Sequence, residues 1–202
     1  MTDDAGTDVA RATKSRLRSL VRARVAAMPA TQRAHADRVI CGNLSSLPEE
    51  VGASFVLAYL ALPDEVRVDA FLAAMVERGR RTLVPRARGG RLRYARWQPC
   101  SGLCRDEEGV LAPEGGSLDE LPAGVGLVVV PGRAFDACGR RLGRGGGYYD
   151  RLLSEIEGRH LVVGAAYGCQ IVEEVPHEDH DRDVEYLVTE TGCRRRCPPA
   201  AA

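Results

Sequence analysis

The chain has 202 residues, with 28 basic and 28 acidic side chains that leave a formal net charge of zero. That balance argues against broad binding to nucleic acid or membrane surfaces, which carries a basic excess, and the length fits one domain able to bury a core without staples. At 45% hydrophobic and 28% charged the composition is that of a soluble globular protein, and no apolar run is long enough to cross a bilayer.

Residues 1–7 read as a disordered tail, acidic and polar, with no apolar stretch of a signal peptide. A helix is predicted from Asp8, with Leu17, Leu20, Val21, Val25 and Met28 as its apolar stripe and Pro29 as its stop. Thr31 reads as the cap of a second helix whose stripe is Ala34, Ile40, Leu44 and Leu47. The two make an N-terminal helical hairpin. Phe55–Leu62 is a continuous apolar run, the pattern of a strand buried on both faces. Asp69 reads as the cap of a helix closed by Gly79. Thr82–Val84 and Leu92–Trp97 are further strands, and 98–124 is a long loop rich in Pro, Gly and acidic residues. Leu127–Val130, Leu161–Ala166 and Tyr186–Val188 supply the remaining strands, with a helix over Tyr148–Glu157 and a disordered tail over 194–202. Strands alternating with helices predict an α/β fold: a three-layer sandwich with a mostly parallel sheet, forming one domain over residues 8–193. Ligands bind such sheets beyond the carboxyl ends of the strands. Pro63-Asp64-Glu65, Pro85-Arg86, Pro131-Gly132 and Tyr167–Gln170 are therefore expected on one functional rim.

The chemistry concentrates in RLGRGGGYYDR, Arg141–Arg151. Gly143, Gly145, Gly146 and Gly147 precede a helix, so backbone N–H groups can converge on an anion at a helix N-terminus. Arg141 and Arg144 add forked cationic donors, and Asp150 is a carboxylate for Mg2+ between phosphate oxygens. The segment is not a Walker A loop, for no Gly-Lys-Ser/Thr ends it, nor a dinucleotide fingerprint, for the nearest strand ends well upstream. Lys14, the single lysine among the 28 basic residues, shares a helix face with Arg18 four residues on, and its compact ammonium suits phosphate oxygens. The run HEDHDRD, His177–Asp183, looks like a transition-metal cluster, but a Pro-led loop with one His pair fits poorly; Asp181 as a Mg2+ ligand is the better reading. Glu65 can hydrogen-bond a heterocycle bearing N–H donors. The seven cysteines are odd in number and scattered; no disulfide framework follows and a reduced, cytoplasmic protein is expected. Cys100-x3-Cys104 and Cys193-x3-Cys197 lack histidine support for zinc, and Cys138 and Cys169 lack a base.

The stretch PGRAFDACGRRLGRGGGYYDRLL, Pro131–Leu153, resembles the hallmark segment of the 5-formyltetrahydrofolate cyclo-ligase (methenyltetrahydrofolate synthetase) family. The likeness extends in order to Lys14-x3-Arg18, Tyr59-Leu60 with Pro63-Asp64-Glu65-Val66, Val84-Pro85-Arg86, Tyr167-x2-Gln170, His180-Asp181 and Val188-Thr189-Glu190. It implies a three-layer α/β sandwich and an ATP- and Mg2+-dependent reaction. The formyl oxygen of 5-formyltetrahydrofolate is phosphorylated, nitrogen-10 attacks the activated carbon, and 5,10-methenyltetrahydrofolate, ADP and phosphate result. It also implies roles: Lys14 and Arg18 on ATP phosphates; Arg141, Leu142, Gly143, Arg144, Gly145, Gly146, Gly147, Tyr148 and Tyr149 around the nucleotide; Arg144–Tyr148 with Leu60 and Glu65 toward the folate; Asp150 and Asp181 on Mg2+. Lys14 and Arg144 are the residues expected to stabilise the transferring phosphoryl group, and a monomer is expected. The chain departs from the family pattern at Ala112, often Glu, at Arg133, usually apolar, and at Glu185, usually Asp; Gly146 is Lys in some members. Two rivals remain: another enzyme on this scaffold acting on a different small molecule, and a non-catalytic relative that binds nucleotide or RNA.

Overall fold

A computed structural model describes residues 4–197, with side chains from Val9 onward. In chain order the elements are α1 (Asp4–Ala26), α2 (Ala30–Leu44), α3 (Leu47–Glu50), β1 (Phe55–Leu57), α4 (Asp69–Glu77), β2 (Arg81–Arg88), β3 (Arg91–Arg96), β4 (Leu103–Arg105), β5 (Leu111–Pro113), β6 (Gly126–Val130), β7 (Ala134–Phe135), β8 (Arg141–Leu142), α5 (Tyr148–Ile156), β9 (Leu161–Ala165), β10 (Tyr186–Thr189) and β11 (Gly192–Arg195). A 3-10 turn at Gly168–Gln170 follows β9.

One seven-stranded sheet organises the molecule, in the order β11-β10-β9-β6-β1-β2-β3. The five strands from β10 to β2 are mutually parallel, and β3 and β11 add antiparallel edges. Side chains on a strand alternate between faces, so a strand covered on both sides must be apolar throughout. In β6 all five residues are buried. Val56, Leu127, Val129, Val163 and Val188 pack with Val21, Val25, Ile40, Leu44, Phe71, Leu72 and Met75 from α1, α2 and α4. Their neighbours Phe55, Leu57, Val128, Val130 and Leu187 pack on the opposite face with Leu152, Leu153 and Ile156 of α5. These are the three expected layers.

Phe135 sets the spacing on the second face. A Cβ on Gly132 or on Gly164 would lie 2.6 Å from its ring, so both positions exclude side chains. Pro85 sits inside β2 without breaking it. Its partner Tyr94 turns its own N–H and C=O away to Leu118, and β1 pairs only as far as Leu83, so no ladder bond needs a Pro85 N–H.

The sequence-based boundaries shift in places. The first helix begins at Asp4, inside the expected tail 1–7, and β11 takes in Arg194 and Arg195 of the expected tail 194–202; residues 1–3 and 198–202 lie outside the described residues. Leu20 is 49% exposed and Ala34 is also on the surface, while Ala36 and Cys41 complete the α2 stripe. Pro29, not Thr31, occupies the cap of α2, where its fixed φ pre-sets the helix start; Asp69 is the first helical residue of α4 rather than its cap. The expected strand 55–62 stops at Leu57 because β2 and β6 pair with it only that far. The loop 98–124 contains the hairpin β4–β5. The seven cysteines are free thiols.

Candidate active site

A cleft of about 530 Å³ opens beyond the carboxyl ends of β1 and β6. Its walls bring together Leu60 and Glu65 after β1, Pro85 in β2, Pro131 and Gly132 after β6, and Arg141, Gly143, Arg144, Gly146, Gly147, Tyr148, Tyr149 and Asp150 of the glycine segment. The hairpin β4–β5 closes one side through Asp106, Glu108, Gly109, Val110 and Leu111. Of the expected rim segments, Tyr167–Gln170 does not line it; Gln170 is buried, its amide donating to the carbonyls of Gly132 and Arg133.

The glycine segment is held from below. Arg141, 4% exposed, donates to Asp150 Oδ1 at 2.6 Å and to the Pro131 carbonyl at 3.4 Å, and its guanidinium lies over the Tyr149 ring. Leu142 packs its side chain in the core. Gly145 has φ 105° and Gly147 φ 65°, a left-handed value at the cap of α5 that a side chain would strain. The loop thus runs exposed into a helix N-terminus, with Arg144 exposed above it and in no ion pair among the described residues. Arg18 braces the loop from α1, its Nε donating to the Gly143 carbonyl at 2.8 Å. Gly145 faces the same guanidinium.

Lys14, one turn before Arg18, lies outside the cleft wall, as does Asp181. Lys14 is 7% exposed, and its ammonium contacts Glu178 at 2.5 Å and Asp181 at 2.6 Å. Burial alone would lower its pKa, yet the two carboxylates outweigh burial and raise it. Burial would likewise raise Asp181, but the Lys14 ammonium and the Glu178 N–H bring its carboxyl down. Arg18 stands between the two groups, feeling the charges of Asp181 on one side and of Arg133 and Asp150 on the other. Among the described residues Glu178, His180 and Asp181 alone bring three ligand atoms close enough for a metal ion, and Lys14 already fills that cluster with a cation.

Across the cleft the wall carries a buried carboxylate. Glu65 is 6% exposed, and its Oε2 accepts the Leu62 N–H at 3.0 Å. Burial pushes its carboxyl up, against the pull of the Leu62 N–H, Arg144 and Arg133. Arg133 is buried and ion-paired with Asp64, so the departure from an apolar residue is compensated within the fold. Ala112 is fully buried in β5, and Glu185 accepts the Val162 N–H at 3.2 Å, joining two chain segments. On the hairpin, Asp106 closes its own turn by accepting from Glu108 and Val110, and Glu108 accepts the Tyr148 hydroxyl at 2.6 Å.

Sequence reasoning quoted Tyr59, Asp64, Arg133 and the run containing Glu178 without foreseeing the Asp64–Arg133 and Lys14–Glu178 contacts, and it did not single out the hairpin acids Asp106 and Glu108. Asp64 lies in the quoted Pro63-Asp64-Glu65 and Glu178 in the quoted run His177–Asp183, so both were in view without an assigned partner. The hairpin gave no signal, since β4 and β5 are three residues each.

Comparison with known proteins agrees with this geometry. The model of the 5-formyltetrahydrofolate cyclo-ligase family matches residues 10–190. The 5-formyltetrahydrofolate cyclo-ligase of Escherichia coli (strain K12) is 28% identical over 175 residues, covering 84% of this chain and 96% of that protein. The enzyme of that name from Mycolicibacterium smegmatis is 29% identical over 183 residues, covering 87% and 93%. The solution structure of Aquifex aeolicus 5,10-methenyltetrahydrofolate synthetase superposes with a TM-score of 0.75 at 31% identity, over 94% of this chain and 95% of that one. The structure of a 5,10-methenyltetrahydrofolate synthetase from Mycoplasma pneumoniae shares the fold, with a TM-score of 0.65 at 20% identity over 88% of this chain and 98% of that one. A glycine loop braced by an N-terminal basic helix, a buried glutamate across the cleft and a family match over nearly the whole chain lead to one assignment: this chain belongs to the 5-formyltetrahydrofolate cyclo-ligase family.

Proposed function

We propose that the chain uses MgATP to convert 5-formyltetrahydrofolate to 5,10-methenyltetrahydrofolate, ADP and phosphate. The observation that carries this reading is the cleft itself: an exposed cationic glycine loop and a buried carboxylate face each other across one space.

The chemistry divides along those walls. The formyl oxygen attacks the γ-phosphorus and ADP leaves; nitrogen-10 then attacks the activated carbon, loses its proton, and phosphate departs with the former formyl oxygen. Both nucleophiles belong to the substrate, so the protein supplies position and charge. The N–H groups of Gly143–Gly147 at the start of α5, with Arg144, cradle the phosphates. Arg144 and Lys14 neutralise charge on the transferring phosphoryl group, while Arg18 keeps the loop in register. Leu60 and Glu65 hold the pteridine, Glu65 as acceptor for its N–H groups. Mg2+ arrives with ATP. Carboxylate oxygens suit this hard cation, and the ion pair of Asp150 uses only Oδ1, so Asp150 and Asp181 would hold it. Lys14 and Asp181, now paired, would then separate to serve phosphate and metal. Seven free thiols fit a reducing compartment, and the cytoplasm is the location this reading favours.

The test is direct. Purified protein with 5-formyltetrahydrofolate and MgATP should develop the near-UV absorbance of the methenyl product. Omission of ATP, or Gly145→Asp, should abolish it. No product from folded parent protein that still binds ATP would refute the reading and shift the substrate to another small molecule.

A further inference from the structure

Three tyrosines stand near the pteridine wall: Tyr59 and Tyr167 are buried and Tyr149 is half-buried. The hydroxyl of Tyr167 bonds to Asp37 at 2.7 Å and to the Glu65 carbonyl at 3.3 Å, and Tyr149 lies under the Arg141 guanidinium. Tyr59 is 2% exposed, and its hydroxyl has no hydrogen-bond partner among the described residues. A buried hydroxyl without a partner loses its bonds to water and gains nothing in return, so phenylalanine would serve the fold better there. Yet Tyr59 lines the cleft beside Glu65 and Tyr149. The groups whose charges act most on it are those same two residues.

We propose that Tyr59 is a further substrate-contact residue, whose hydroxyl donates a hydrogen bond to the carbonyl oxygen on the lactam edge of the pteridine. The inference rests on the folate reading above and deepens it. That edge presents an exocyclic N–H, a ring N–H and a carbonyl oxygen side by side. A carboxylate at Glu65 can accept both N–H groups but has nothing to offer the adjacent oxygen. That oxygen needs a donor, and the donor must not be charged in so apolar a wall. Burial keeps the phenol neutral, with the nearby Glu65 carboxylate acting in the same direction. The orphaned hydroxyl is thus a bond held in reserve for the ligand, and it discriminates against heterocycles that lack an acceptor at that position.

Tyr59→Phe removes the one atom in question and leaves the ring. Binding of 5-formyltetrahydrofolate and of ATP is measured separately for parent and variant, together with thermal unfolding. The Kd for the folate should rise roughly 3- to 10-fold, the scale of one neutral hydrogen bond. The Kd for ATP should not move, and the Tm should be equal or higher, because an unsatisfied group has gone. An unchanged folate Kd, or equal weakening of both ligands with a lower Tm, would overturn the role of Tyr59. Parent protein that binds and converts the folate while Tyr59→Phe behaves identically overturns this inference alone. Parent protein that binds ATP but no folate overturns the substrate reading with it.

Discussion

The two walls of the cleft are built on opposite principles. On the loop side Arg141 is matched with Asp150 and Arg18 with the Gly143 carbonyl, and outside the cleft wall Lys14 is matched with Asp181 and Glu178, while Arg144 has no ion-pair partner among the described residues. On the Glu65 side, the wall proposed to take the pteridine, Glu65 receives a single N–H from Leu62, and the Tyr59 hydroxyl has no partner among the described residues. A ligand entering the first wall must exchange partners; a ligand entering the second completes bonds left open. The first arrangement suits groups whose charge changes during reaction, and the second suits recognition of a fixed edge.

Substitutions should separate the walls accordingly. Arg144→Ala should lower turnover about 10- to 1000-fold, the range for losing a charge-stabilising donor; initial rates within a factor of about two of the parent would remove Arg144 from the transition state. Glu65→Gln should act on the folate, raising its KM roughly 10- to 100-fold through loss of charged acceptors, with ATP affinity intact. It should also change the pH profile. Folding raises the Glu65 pKa above 4.5, so in the parent the carboxylate is progressively lost as pH falls through that raised value and folate KM climbs. The Gln variant should lack this limb, and an identical acid limb in both proteins would assign it elsewhere.

Gly147→Ala probes the loop conformation rather than its charge. A side chain at φ 65° costs about 1–2 kcal/mol, and the new Cβ would also lie 2.9 Å from the Arg151 guanidinium. The unfolding free energy should fall by that amount, lowering the denaturant midpoint, and ATP KM should rise; an unchanged midpoint would mean the loop tolerates another path. The smallest effect is electrostatic. Apart from any loss of turnover, Lys14→Met should flatten the acid limb of stability. Asp181 is held below its ordinary 3.8 in the folded state. It therefore stabilises the fold above 3.8, and that contribution fades as pH falls through the lower folded value. The stability gap between parent and variant should narrow from about pH 7 to about pH 3. A gap constant over that range would show that the ion pair contributes nothing to folding.

Legibility in the sequence followed the physics of each segment. β6 and β9 were readable because burial on both faces demands unbroken apolar runs such as Leu127–Val130. The conformation of the glycine loop was readable because positive φ demands glycine at 145 and 147. The end of β1 was not, because Ala58 and Tyr59 remain buried after pairing stops, and burial rather than pairing is what hydrophobicity reports. Thr31 misled because proline can start a helix by geometry alone, without a capping hydroxyl. Within the site, charges adjacent in sequence to glycine or proline were legible, whereas the Lys14–Glu178 and Lys14–Asp181 contacts join residues 164 and 167 positions apart. Tyr59 was quoted for its place in a family pattern, but only the fold reveals that its hydroxyl is unpartnered.

That separation also orders events during synthesis. α1 is the first element to be made, yet its buried lysine meets Asp181 only after 167 further residues are translated. At about 5–20 residues per second the interval is on the order of 10–30 s. During it the basic helix has no acidic loop to close on, and the glycine segment, once made, has no Asp181 cluster beside its brace. A chain released before Glu178 and Asp181 are made therefore leaves the Lys14 ammonium with neither of the carboxylates that hold it in the fold.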